Sequence, residues 1–143
     1  MKISSKGRYA LAVLTSMAKH EGVETLVSVV TLSERLEISK IYLEQVFSLL
    51  KRSGLVVSVK GSSGGYYLER PPKEITAFEV LSATESALFE KPEIVASKKD
   101  EDLGRAINET VFIPLDEAIK NTLLGITIED IMNKSGEEYM YYI

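Results

Sequence analysis

Ser39-Lys-Ile-Tyr-Leu-Glu-Gln-Val-Phe-Ser-Leu-Leu-Lys-Arg52, followed by Ser53-Gly54, Leu55-Val-Val-Ser-Val-Lys60, Gly61-Ser-Ser-Gly-Gly65 and Tyr66-Tyr-Leu-Glu-Arg70, decides the fold. In the first run Tyr42, Val46, Leu49 and Leu50 recur at helical spacing, and Leu43 and Phe47 widen the stripe into one buried face. Ser39 caps this helix, and Ser53-Gly54 stops it with Lys51 and Arg52 in the last turn, where the helix dipole favours cations. The two β-favouring runs around a loop that can take positive φ read as a hairpin. Upstream, Ser28 caps a short helix from Val29 to Leu36 with Val30 and Leu32 pointing inward, and Glu37-Ile38-Ser39 is the turn between the helices. A short helix, a turn, a second helix and a glycine-tipped hairpin predict a winged helix-turn-helix, with the second helix shaped for the major groove of DNA.

Ahead of this unit, Ser4 or Ser5 caps a helix through Tyr9, Ala10, Leu11, Val13, Leu14, Met17 and Ala18 that ends near Lys19-His20, and residues 21–26 form a loop. Pro71-Pro72 blocks further strand and immediate helix, so residues 1–73 are the expected DNA-binding domain. In residues 74–99, Thr76 caps a helix through Phe78, Val80, Leu81 and Ala83, and from Glu85 to about Lys99 the period breaks down into an expected mobile loop. Residues 100–143 open with the longest helical pattern: Leu103, Ile107, Val111, Leu115, Ile119 and Leu123 or Leu124, ending at Gly125, with Pro114 kinking or restarting it. So long a stripe on so small a domain most cheaply buries itself against a second copy of the chain. Thr127 then caps a last short helix, Ile128 to Met132, which Ser135-Gly136 ends before the tail from Glu137 to Ile143. The expected fold is mainly α with a small β-hairpin wing: a winged helix-turn-helix plus a long dimerisation helix.

At 143 residues, 45% hydrophobic and 27% charged, the chain can bury one proper core and a second small unit at most. It contains no apolar run near the ~18 residues a membrane span needs, and Met1-Lys-Ile-Ser-Ser-Lys lacks a signal peptide's apolar core, so a cytoplasmic protein is expected. The net charge of -4 divides unevenly: residues 1–73 hold 11 Lys and Arg against 6 acidic residues, residues 74–143 hold 6 against 15. A basic N-terminal part attracts phosphate while an acidic C-terminal part stays off the duplex. An accident of solvated surface is the alternative.

Several sharper chemistries fail on the residues. Gly61 to Gly65 is neither Gly-x-Gly-x-x-Gly nor a P-loop, and it joins strand to strand. His20 is the only histidine, and with no cysteine in the chain there is no thiolate ligand or disulfide. Asp100-Glu101-Asp102 reads as a helix start favoured by the dipole rather than a cation site. No catalytic constellation emerges, so no enzyme and no cofactor are expected.

Ser5-Lys-Gly-Arg-Tyr-Ala-Leu, Tyr42-Leu-Glu-Gln-Val-Phe-Ser-Leu-Leu, Ser53-Gly-Leu-Val and Lys60-Gly-Ser-Ser-Gly-Gly-Tyr-Tyr-Leu together resemble the Rrf2 family of bacterial transcription regulators, in order and across essentially the whole chain. The resemblance implies a homodimer binding an interrupted palindrome in double-stranded DNA, usually as a repressor. It implies that Glu44 reads a base edge, for which a carboxylate accepting from cytosine N4 has the right chemistry. Lys60 matches a basic residue at the start of the wing, and Gly64 and Gly65 match glycines that bring backbone close to the minor groove. Ser39, Lys40, Tyr42 and Gln45 stand where side chains reach bases or phosphates, and Lys6 and Arg8 where they meet the DNA backbone. Ile41 stands where iron-sulfur members often carry a polar residue. For Glu44 an intrahelical pair with Lys40 or Lys51 is the competing reading.

Iron-sulfur members carry three cysteines in the loop corresponding to residues 85–102, and this chain has none, so cluster ligation as they perform it is excluded. The tail Tyr139-Met-Tyr-Tyr-Ile143 resembles the end of the family's cluster-free repressors of cysteine metabolism, which act in complex with cysteine synthase. That enzyme captures a partner peptide ending in isoleucine, which points to Tyr141, Tyr142 and Ile143 as partner contacts. Packing of the tail tyrosines on the dimer is the alternative. A second function stays open beside the repressor: an interaction module acting through the acidic half and the tail on a metabolic enzyme such as cysteine synthase.

Overall fold

Side-chain caps start most of the helices of the computed structural model, which describes residues 3–86, 88 and 98–141, the side chains of 98 and 137–141 apart. Helix α1 spans Ser5–His20, and its cap Ser4 accepts from the Gly7 amide at 3.2 Å. Ser28 accepts from Thr31 at 3.0 Å to begin α2, Val29–Leu36, and Ser39 from Tyr42 at 3.2 Å to begin α3, Lys40–Arg52. Thr76 caps α4, Ala77–Thr84, at the Glu79 amide. For α7, Ile128–Tyr141, the cap is reciprocal: Thr127 Oγ1 accepts from the Asp130 amide at 3.1 Å and Asp130 Oδ2 from the Thr127 amide at 2.9 Å. Each such cap contributes about 1 kcal/mol by satisfying amides that the first turn leaves free.

The core joins Ala10, Val13, Leu14 and Met17 of α1 to Leu32 of α2 and to Leu43, Val46, Phe47 and Leu50 of α3, all fully buried. Tyr42 and Leu49 lie half-buried at the edge of that α3 face. One inward residue of α2 is corrected: Val30 is 48% exposed, while Val29 packs on the core. With Leu32 inward, positions three before and four after it share its face, whereas Val30, two before, turns away.

Strands β1, Val56–Val59, and β2, Gly65–Leu68, pair antiparallel with Val56 opposite Leu68 and Val59 opposite Gly65. The expected loop at residues 21–26 adds to this hairpin, Glu24 N–H donating to Leu68 O at 2.9 Å, and just beyond it Val27 and Tyr66 exchange two backbone hydrogen bonds of 2.9 Å. The core then continues past residue 73. Ile75 and Ile128 are both fully buried, and Ala77 N–H donates to Ile126 O (2.8 Å) while Ile128 N–H donates to Ile75 O (2.9 Å), pinning the start of α7 to the start of α4.

Helices α5, Glu101–Ile107, and α6, Ile113–Leu124, are joined by a π-helical segment, Asn108–Phe112. Pro114 has no amide to return to residue 110, and the Ile113 amide instead reaches back to Asn108 O, so the expected kink is a widened turn. The short last helix is also corrected: α7 runs through Ser135-Gly136 to Tyr141. A mid-helix glycine costs about 1 kcal/mol, which the packing of Ile131 and Met132 against the core outweighs. The expected mobile loop falls on residues 85–99, of which 87 and 89–97 lie outside the described residues, as do Tyr142 and Ile143. No helix among the described residues is long and apolar enough to cross a membrane.

Candidate nucleic-acid interface

Burying Leu43, Val46, Phe47 and Leu50 leaves α3 one solvent face, carrying Lys40, Ile41, Glu44, Gln45, Ser48 and Arg52, all exposed. At ~100° per residue, Ile41, Glu44, Gln45, Ser48 and Arg52 fall within about 100° of arc opposite the buried side. Glu44 and Gln45 therefore flank Ile41 on a single face, while Lys40 stands at its margin, beside Glu44 and about 140° around the helix from Gln45. Glu44 enters no ion pair among the described residues, so the competing intrahelical pair with Lys40 or Lys51 is not formed. Its acceptor oxygens remain open to a donor on a base edge. Ser39 is exposed and spends its hydroxyl on the cap.

Tyr42 is held rather than free. Its ring meets Tyr9 edge-to-face, with centroids 5.2 Å apart and planes at 87°, tying the second turn of α1 to the first turn of α3. Ser5, Tyr9, Glu37, Ile38, Ser39 and Tyr42 line a polar notch of about 280 Å³ there. Arg8, exposed, stands one residue before Tyr9; Lys6 is half-buried. The helix-turn-helix turn passes through Glu37 in the left-handed region, φ 55°, and is locked by Ser33 Oγ donating to Ile38 O at 2.6 Å.

The wing is placed by stacking: Phe47 of α3 and Tyr66 of β2 lie 4.1 Å apart and 11° from parallel. Lys60 is exposed at the end of β1, beside the exposed tip Gly61-Ser62-Ser63. Gly64 and Gly65 have a structural reason of their own. A Cβ at 64 would come within 2.1 Å of Val59 O, and one at 65 within 2.2 Å of Val27 O. Sequence reading missed Ser48 and Arg52, which the period of α3 puts on the same face as Glu44. It had no signal for the Val27 pairing. Of the tail residues, Tyr141 ends α7 with its side chain outside the described set, and Tyr142 and Ile143 lie beyond it.

The model of the Rrf2 family, described as an iron-dependent transcriptional regulator, matches residues 3–134. The HTH-type transcriptional regulator CymR of Bacillus subtilis (strain 168) is 34% identical over the whole of both chains. The HTH-type transcriptional regulator IscR of Pectobacterium atrosepticum is 35% identical over 93% of this chain and 80% of its own. Among solved structures, CymR, the global cysteine regulator of B. subtilis, superimposes with a TM-score of 0.74 at 30% identity, covering 94% of this chain and 98% of its own. IscR of T. potens gives a TM-score of 0.73 at 31% identity over 99% and 97%. Iron does not fit by the thiolate route, because this chain supplies no cysteine and one exposed histidine, His20, at the end of α1.

Proposed function

The chain belongs to the Rrf2 family of winged helix-turn-helix transcriptional regulators, and on that premise we propose that it is a homodimeric, cytoplasmic, sequence-specific repressor working without an iron-sulfur cluster. The observation that carries this is the open face of α3, with Glu44 unpaired beside Lys40 and Gln45 and the wing held against the helix by the Phe47–Tyr66 stack. In the proposed complex Glu44 accepts from a base edge, Gln45 reads its neighbour, Ser39 and Lys40 approach phosphate at the dipole-positive end of α3, and Lys60 with Gly64 and Gly65 follows the adjacent groove. Arg8 and Lys6 supply backbone contacts from α1. The second copy covers the α5–α6 stripe, where Leu103, Val111, Ile113 and Leu115 stand about half exposed in a single chain.

Full-length similarity to the global cysteine regulator supports sulfur or cysteine metabolism as the regulated process; cysteine synthase as a partner, with Tyr141, Tyr142 and Ile143 as the contact, rests on the resemblance of the tail sequence alone. The test is a mobility shift on the DNA upstream of the gene, in rising salt, with and without cysteine synthase and with Glu44→Ala as control. The expected result is a shift that weakens by about 0.9 log units per log unit of salt for each phosphate neutralised and that needs at least about fivefold more protein in the variant. A shift that Glu44→Ala leaves intact overturns the assigned reading face. Pull-down of cysteine synthase that is equal for wild type and a variant lacking residues 139–143 removes the tail from the interface.

A further inference from the structure

Ile41 is 73% exposed, more than any other large hydrophobic side chain among the described residues; Leu103 follows at 52%. It occupies the second residue of α3, after the cap Ser39 and Lys40. At ~100° per residue it lies about 180° from Leu50, with Glu44 to one side and Gln45 to the other. Ile41 is thus the centre of the face that α3 leaves open, and no part of the core uses it.

Single exposed hydrophobic residues are ordinary on a protein surface. This position is different in kind. A solvated site in the first turn of a helix is served best by straight-chain polar residues, and isoleucine, with its branched Cβ, is the weaker helix former there. The same branching leaves χ1 one strongly preferred rotamer, so the side chain projects its methyls from the rigid helix in a fixed direction. Base edges in the major groove offer hydrogen-bond donors and acceptors, plus one apolar marker, the C5 methyl of thymine. The N-terminal residues of a recognition helix are the ones that reach those edges.

We propose that Ile41 is a specificity-determining residue that packs against the 5-methyl group of a thymine in the operator, next to the base read by Glu44. The inference rests on the DNA-binding reading above and adds a base identity to it. An apolar contact at 41 favours thymine and disfavours cytosine at the contacted position, because isoleucine leaves the cytosine amino group without an acceptor.

The test starts from a duplex selected out of a random-sequence pool by the full chain. Each thymine of that duplex is then replaced singly by deoxyuridine, which removes the methyl and keeps every hydrogen-bonding group. Wild type is expected to lose about fourfold in affinity at one thymine of a half-site, the worth of one buried methyl. Ile41→Ala is expected to bind more weakly overall, to be indifferent to that same replacement, and to keep its dependence on Glu44. If the selected duplex binds in a Glu44-dependent way and no uracil replacement distinguishes wild type from Ile41→Ala, the thymine contact is overturned while the DNA reading stands. If no duplex is enriched, the DNA reading falls and takes this inference with it.

Discussion

The Tyr66 ring lies flat on Phe47, centroids 4.1 Å apart, so the hairpin following the recognition helix is clamped to that helix from its buried side. Phe47 is fully buried and Tyr66 half-buried, and the backbone of Tyr66 is bonded in both directions to Val27. The angle between wing and α3 is set from within the core. Tyr66→Leu removes the stack and keeps much of the apolar volume; an aromatic pair is worth about 0.5–1.5 kcal/mol beyond its area. Urea denaturation should show a loss in that range, with Tyr66→Phe close to wild type.

Glycine substitutions should rank by what the new Cβ meets. At Gly65 it meets the backbone carbonyl of Val27 at 2.2 Å; at Gly7 it meets the ends of side chains, Glu85 Oε1 at 2.5 Å, Ile3 at 2.8 Å and Leu81 at 3.1 Å. Side chains can swing away and a paired backbone cannot. Gly65→Ala should therefore destabilise by about 1–3 kcal/mol or shift the wing, and Gly7→Ala by less. Equal midpoints for the two variants would contradict this account.

Two bidentate ion pairs should differ in worth. Arg35 holds both oxygens of Glu21, at 2.9 and 3.2 Å, and also donates to Ser16 Oγ, with the pair largely shielded from water. Arg70 grips Glu79 with both side chains 37% exposed, and that carboxylate is the main cause raising the arginine's pKa. Solvent screening limits the second pair to about 1 kcal/mol or less, whereas breaking the first leaves charged groups partly desolvated, at about 1–3 kcal/mol. Arg35→Ala should lower the thermal midpoint more than Arg70→Ala does, and adding salt should narrow the gap between Arg70→Ala and wild type only.

On DNA, Lys40→Ala and Glu44→Ala should fail differently. A lysine on phosphate contributes affinity without sequence information, so Lys40→Ala should weaken all duplexes alike and reduce the salt slope by about two, one contact being lost from each protomer of the dimer. Glu44→Ala should cut discrimination at one base pair by about 1–3 kcal/mol with the slope unchanged. Filter-binding titrations on operator and mismatched duplexes at several salt concentrations separate the two.

A charge in the α5–α6 stripe should act on assembly alone. Leu115→Glu places a carboxylate at a half-exposed position outside the buried core of the single chain. Sedimentation should show a monomer with unchanged helix content and greatly weakened operator binding. A dimer that persists in Leu115→Glu would move the interface elsewhere.

Much of the architecture was legible in the chain because its signals are local. Caps at Ser28, Ser39, Thr76 and Thr127 act on amides three residues ahead, and the apolar face of α3 repeats within a turn, so neighbours in sequence suffice to place them. The exposure of Glu44 and Gln45 follows from the same period. What local order could not convey was which distant segments meet. Val30 turned outward and Val29 inward because Leu32 chose the core. Helix α7 outran Gly136 because it packs along α1. Gly64 and Gly65 proved necessary to close the hairpin and to let Val27 approach. Val27 on Tyr66, Phe47 on Tyr66 and Ile75 beside Ile128 join residues that only the folded chain brings together, and burial against them, rather than propensity, decided the tertiary arrangement.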